Sequence, residues 1–300
     1  MPRPLSRRSL LRAGVAVSAG ALLTAGSLTE RPASAALRPV HQRLRALERA
    51  HDARLGVYAL NTDTGATVAY RAWERFPMCS TFKPLAAAAI LRDRDAAYLD
   101  QLVRYTGADL VDGSPITEDH VGTGMRVGDL CAAAICYSDN TAGNLLLRRI
   151  GGPGGVTAFC RSIGDQWTRL DRYETELNTA IPDDPRDTTT PGAIGRDYAR
   201  LVLGHPLRPG DRDRLTGWLK ANTTSAQRFG AGLPQHWELG DKTGSGSYGT
   251  ANDVGIAWTG TGTPIVLSVL TTKHVQDAAW DDVLIADTAR ILAATLAPGE

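Results

Sequence analysis

At 300 residues, 43% of them hydrophobic and 22% charged, the chain has the composition of a folded protein of one large domain or two modest ones, which excludes intrinsic disorder. A formal charge of +1, without Lys/Arg clusters interleaved with aromatics, excludes a nucleic-acid-binding surface. The six histidines form no H-x-H or H-E-x-x-H pattern and the four cysteines no C-x-x-C, so neither a metal site nor another cofactor is expected.

The N-terminus comes first. Arg7 and Arg8, followed by Ser-Leu-Leu, precede the alanine-rich apolar run Val15 to Leu28 and the small-residue stretch Ala33 to Ala35. This order reads as a secretory signal of the twin-arginine type over residues 1–35, and places the mature protein outside the cytoplasm, in the periplasm or the medium. The competing reading, a membrane anchor, needs a span of ~20 apolar residues, which this run does not reach. Removing residues 1–35 takes away five arginines and one glutamate, leaving 28 basic against 31 acidic residues, or −3. In an exported chain Cys79, Cys131, Cys136 and Cys160 permit three full pairings and several partial ones. Export of an already folded chain is equally consistent with free, buried cysteines acting as small hydrophobes.

After the leader, His41 to Ala53 carries Leu44, Leu47 and Ala50 at helical spacing, and the strands RLGVYAL and ATVAYR flank the turn Asp63-Thr64-Gly65. The centre reads as helices over Ser80–Arg92, Val127–Tyr137, Thr141–Ile150, Val156–Ile163, Gly192–Leu203 and Asp211–Lys220, with the glycine cluster 151–155 breaking one from the next. Strand patterns return at HWELGDKTG, NDVGIAW and PIVLSVLTT, and an amphipathic helix over Asp277–Leu296 closes the chain. Strands at both ends around a helical middle imply that the ends share one sheet. The expected organisation is therefore an α/β lobe from residues 36–68 and 222–300, an all-α lobe from 69–221, and a cleft between them that would hold a site.

Lysine use points to that site. Only Lys83, Lys220, Lys242 and Lys273 interrupt an otherwise arginine-based set of cations, and a lysine kept inside an apolar run suits a group that must lose a proton. Ser80 and Lys83 stand three apart at the mouth of such a run, where a desolvated amine can activate a serine hydroxyl. Ser138 and Asn140 lie in a short connection between two helices, and Lys242, Thr243, Gly244 and Ser245 close a strand at a glycine-rich edge suited to anions. Each pattern alone is explained as well by a helix cap, a turn or a strand end. Together and in this order, S-x-x-K, S-D-N and K-T-G are the signature of the penicillin-recognising serine enzymes.

The chain resembles a class A serine β-lactamase over essentially its whole mature length. The resemblance implies the two-lobe serine β-lactamase/D,D-peptidase-like fold, of α/β (α+β) class, with an antiparallel sheet flanked by helices plus an all-α lobe, and a monomer acting on small-molecule β-lactams. The segment Arg169 to Pro191 resembles the omega loop of that class, in which Glu174 and Asn178 match the residues that hold the hydrolytic water. A serine acyl-enzyme persists unless a base activates water on the right face, and Glu174 would be that base. D,D-peptidases share the other motifs but lack this loop, and the further alternative, a non-hydrolytic β-lactam sensor, would acylate and stop.

By the same resemblance Ser80 is the nucleophile, Lys83 or Glu174 its base, and Ser138 the proton donor to the lactam nitrogen. Asn140 would bind the side-chain amide, Lys242 and Thr243 the carboxylate, and the backbone of Ser80 and Ser245 the oxyanion, with Arg228 supporting the carboxylate. Three departures stand out: Gly113 occupies the place of an aromatic at the cleft entrance, leaving one wall open; Gly246 replaces the cysteine that would pair with Cys79; and Ala87 replaces the expected partner of Cys131. Ser245 within KTGSGSYGTANDVG resembles cefotaxime-hydrolysing members, which extends the expected substrates from penicillins to cephalosporins.

Overall fold

The computed structural model describes residues 32–300, so the leader expected over residues 1–35 lies almost wholly outside the described residues. Helix α1 (Pro32–Ala50) presses Val40 and Leu44 into the core. It leads into the hairpin β1 (Arg54–Asn61) and β2 (Thr67–Tyr70), whose turn forms because Asn61 Oδ1 accepts the N–H groups of Asp63 and Thr64, both at 3.0 Å. The short β3 (Phe76–Pro77) then delivers the chain to α2 (Lys83–Asp93). Beyond it come α3 (Ala96–Leu99), β4 (Leu102–Val103), β5 (Met125–Arg126), α4 (Val127–Cys136), α5 (Asn140–Arg149), α6 (Pro153–Ser162), β6 (Thr188–Thr189), α7 (Pro191–Leu203), α8 (Pro209–Lys220) and α9 (Phe229–Gly232). Strands β7 (Glu238–Ser245), β8 (Ala251–Trp258) and β9 (Pro264–Thr272) precede α10 (Asp282–Leu296). A proline in the first turn of α2, α6, α7 and α8 sets the helical φ where no N–H partner is needed.

The main sheet is antiparallel, ordered β2-β1-β9-β8-β7, so the two ends of the chain do share it. One face is covered by α1, α9 and α10 through Leu44, Phe229, Leu284 and Leu292. The other packs Val254, Ile256, Val266 and Leu270 into a core continuous with α2, α4, α7 and α8. Helix α2 is buried from Lys83 to Leu91. Its alanines are what allow α4, α5, α6 and α8 to pack around it.

Two element boundaries differ from the sequence reading. Ser80 does not open an α-helix; it sits in a 3-10 turn, Cys79–Phe82, and α2 starts at Lys83. The last helix begins at Asp282 rather than Asp277, because Asp281 accepts the N–H of Leu284 and caps it there while Lys273 and His51 hold the same carboxylate. The four cysteines are free and buried.

Asp197 on α7 is completely buried, receives Arg200 at 3.0 Å, and shares its surroundings with Asp165 and Cys160. Burial, and next the Asp165 charge, push its carboxyl up to about 9, so it is protonated at neutral pH. An unfolded aspartate ionises near pH ~4, and the folded protein therefore loses stability as pH rises from that value towards 9. Asp197→Asn stays neutral throughout and should gain stability relative to the parent as pH increases across this window. Urea denaturation at several pH values checks it, and a difference independent of pH would contradict the assignment.

Candidate active site

The turn that carries Ser80 is held from several sides. Cys79 adopts a left-handed backbone, with φ of 47°, and its thiol is buried. Asn252 of β8 donates to Pro77 O and Met78 O at 2.9 and 3.2 Å, while Tyr198 of α7 donates to Thr81 O at 2.8 Å. Gly244 lets the edge strand β7 lie against this turn: a Cβ there would stand 2.8 Å from Met78 O and 3.2 Å from Ser80 N. No side chain fits between strand and nucleophile.

Lys83 has no exposed side-chain surface. Its ammonium donates to Ser138 O and Asn140 Oδ1, both at 2.7 Å, reaches Ser138 Oγ at 3.4 Å, and pairs with Glu174 Oε1 at 3.2 Å. Burial pushes its pKa below the ordinary lysine value, and the Glu174 charge opposes that shift. The sequence reading aimed this amine at the Ser80 hydroxyl. Instead the hydroxyl donates to Glu174 Oε1 at 3.2 Å, so one carboxylate oxygen joins serine and lysine. The amine is drawn instead to the loop that follows α4, where Ser138 O and Asn140 Oδ1 each accept from it at 2.7 Å.

The loop between α4 and α5 brings Ser138 to the ammonium in a left-handed conformation, with φ of 59°. The residue between the two expected site residues fixes this loop. Buried Asp139 caps α5 through Ala142 N and also accepts from Ile116 N, Thr117 N and Thr117 Oγ1, at 2.8 to 2.9 Å. Asn140 spends its amide N–H on Asp112 O at 2.7 Å.

Glu174 is clamped by Asn144, which the sequence reading had not assigned, and by Asn178, which it had. Asn144 of α5 accepts its N–H at 2.8 Å and donates to its carbonyl at 2.9 Å; Asn178 donates to Oε2 at 2.6 Å. The loop is closed at its base by Arg172 and Asp187, 2.6 Å apart, with Asp187 also accepting the N–H groups of Asp171 and Arg172. A buried charge with three donors was visible in the sequence only as an ordinary acidic loop residue. Asn178 Oδ1 is buried and accepts nothing from the protein.

On the opposite side lies Lys242, fully buried, donating to Thr243 O at 2.9 Å. Burial, and after it the Lys83 charge, bring its pKa down to about 7. Arg228 spends its donors on Asp282, Gly244 O, Asn252 O and Ser245 Oγ, at 2.7 to 2.8 Å, so it acts on the cleft through Ser245. Ser80, Ser138, Asn140, Asn178, Thr243 and Ser245 all line one cleft of about 1360 Å³. At Gly246 a Cβ would meet Asn178 O at 2.6 Å and Cys79 Sγ at 2.9 Å.

Residues 39–296 match the profile of the beta-lactamase enzyme family. The chain is 54% identical over 297 residues to a β-lactamase of Streptomyces lavendulae, covering 97% of each. It is 56% identical over 248 residues to β-lactamase AST-1 of Nocardia asteroides, covering 82% of this chain and 80% of that one. It superposes on the solved β-lactamase from Streptomyces albus G with a TM-score of 0.85 at 56% identity, over 86% of this chain and 99% of that one.

A pH dependence follows from Lys242. Its charge fades as pH rises through about 7, and with it the attraction for a carboxylate in the cleft. Lys242→Arg keeps its charge at any accessible pH, and should move the alkaline fall of kcat/KM upwards by at least one pH unit. A pH–rate profile of both proteins with one carboxylate substrate checks this, and superimposable alkaline limbs would contradict it.

Proposed function

Since the chain belongs to the beta-lactamase enzyme family and is a class A serine β-lactamase that hydrolyses β-lactam rings, we propose that Ser80 is its nucleophile, and Lys83, Glu174 and Ser138 its proton carriers. One observation carries the proposal: Glu174 Oε1 accepts the Ser80 hydroxyl and pairs with the Lys83 ammonium, both at 3.2 Å, out of contact with solvent. The carboxylate takes the serine proton as Oγ attacks the lactam carbonyl, and the ammonium stabilises the charge that moves.

The backbone N–H groups of Ser80 and Ser245 hold the oxyanion, which the close approach of β7 to the turn supports. Ser138 passes its proton to the departing nitrogen and is reprotonated by Lys83, 3.4 Å away, which in turn takes the former serine proton from Glu174, so that the carboxylate is ionised again before release. Lys242, Thr243 and Ser245 bind the substrate carboxylate, with Gly244 keeping the approach open and Arg228 orienting Ser245. Asn140 receives the side-chain amide. For release, Glu174 takes a proton from a water that Asn178 Oδ1 can orient, since that oxygen is otherwise without a partner.

The same proposal takes in cephalosporins beside penicillins, a monomeric enzyme, and export by the twin-arginine route with loss of residues 1–35. Arg7, Arg8 and the following apolar run support that route, and no helix among the described residues is long and apolar enough to cross a membrane. The lobes are proposed as residues 36–68 with 222–300, and 69–221; α7 and α8 of the second pack on the sheet of the first.

Intact-protein mass spectrometry of residues 36–300 with excess benzylpenicillin, sampled over time beside the released product, tests the function. Rapid appearance of penicilloate with little lasting adduct is expected, and neither adduct nor product from Ser80→Ala. A stoichiometric adduct that persists without product would instead indicate a D,D-peptidase or sensor, a reading that the family findings do not favour.

A further inference from the structure

Gly113 leaves one wall of the cleft without a side chain, and the geometry keeps it so. Its φ is 76°, and a Cβ there would stand 2.8 Å from Asn140 Nδ2. Asn140 cannot yield, since it holds Lys83 through Oδ1 and Asp112 O through Nδ2.

Two aromatic rings face the same cleft from elsewhere. Tyr137, immediately before Ser138, is 47% exposed, and Trp280, in the segment leading to α10, is 58% exposed. Other exposed tryptophans are covered by guanidinium groups: Arg196 lies 4.6 Å from the Trp73 ring centre and Arg75 lies 5.7 Å from that of Trp167. Among the described residues Tyr137 and Trp280 have no such ring contact. Both are held in place. Tyr137 ends α4, its N–H bonded to Ala133 O, and the Trp280 indole N–H donates to Gly246 O at 2.9 Å. The backbone around Trp280 is fixed by Asp281, held by His51 and Lys273, and by Asp282, held by Arg228. The two rings line the same cleft as Ser80, Tyr137 next to the Ser138 loop and Trp280 tied through its indole to Gly246, just past the end of β7.

We propose that Tyr137 and Trp280 form the side-chain subsite of this enzyme, gripping the acyl group of the β-lactam between two aromatic faces in place of the wall that Gly113 omits, and so selecting substrates with an aromatic acyl group. Rigid, exposed rings lining a cleft give apolar contact at little cost in side-chain entropy. The inference rests on the hydrolase reading above.

The test compares benzylpenicillin, which carries a phenylacetyl group, with 6-aminopenicillanic acid, which carries none. The ratio of kcat/KM for the first over the second isolates the acyl group. Tyr137→Ala and Trp280→Ala should each lower this ratio about three- to tenfold, and the double variant more. Tyr137→Phe should restore it to within about twofold of the parent, which a merely structural role for the hydroxyl would not predict. An unchanged ratio in the double variant, with a parent-like melting temperature, would overturn the inference. A parent protein that opens neither compound would overturn the hydrolase reading and this inference with it.

Discussion

The rest of the site depends on one buried ion pair. Lys83 and Glu174 have no exposed side-chain surface, and each would be expelled from such an interior if it stood alone. Breaking a buried pair by removing one partner typically costs about 3–5 kcal/mol, because the other charge is left uncompensated. The surroundings are arranged to prevent that. Ser138 O, Asn140 Oδ1 and Glu174 receive the ammonium; Ser80 Oγ and Asn178 Nδ2 supply the carboxylate. Solvation removed by burial is thus replaced by fixed dipoles from three separate stretches of chain. Those dipoles also make the pair reactive, because a proton can move between neighbours already in contact.

Reaching this arrangement constrains the fold well away from the pair. The carboxylate comes from a loop that is kept closed by Arg172 and Asp187 and tied to α5 by Asn144. The ammonium comes from a helix buried on all sides, which is possible only because its other side chains are small or apolar. Asp139 fixes the third stretch by accepting several donors at once. The proposed substrate contacts fall partly to groups on the cleft lining that stay open, Ser245 on the sheet edge and the exposed rings of Tyr137 and Trp280.

Much of this was legible in the sequence. The strands of the shared sheet follow from apolar runs bounded by turns, and S-x-x-K, S-D-N and K-T-G stand in the three segments that meet at the cleft. What escaped has physical causes. A left-handed Cys79 turns the nucleophile segment into a 3-10 turn, and local helix propensity carries no sign of it. Asp281 ends up as a helix cap because Lys273 and His51 hold it there, contacts made across long chain separations or between elements. Asn144, Asp139 and Asp187 read as a helix-surface amide and ordinary loop acids until folding buries them among unmet donors. Arg228 was aimed at substrate, and its full set of protein acceptors appears only in three dimensions.

The central claim is that Glu174 serves the release step as the base that water requires, as well as holding the pair together. The most direct measurement is time-resolved intact-protein mass spectrometry of Glu174→Gln with benzylpenicillin; the amide keeps the size and hydrogen-bonding reach of the carboxylate but cannot take a proton. The account predicts an adduct of one penicillin per protein that forms more slowly than in the parent, the serine proton then going to Lys83, whose buried amine has lost the charge that kept it protonated, and that persists, with product release slowed by at least a hundredfold. Turnover at the parent rate without an accumulating adduct would contradict it.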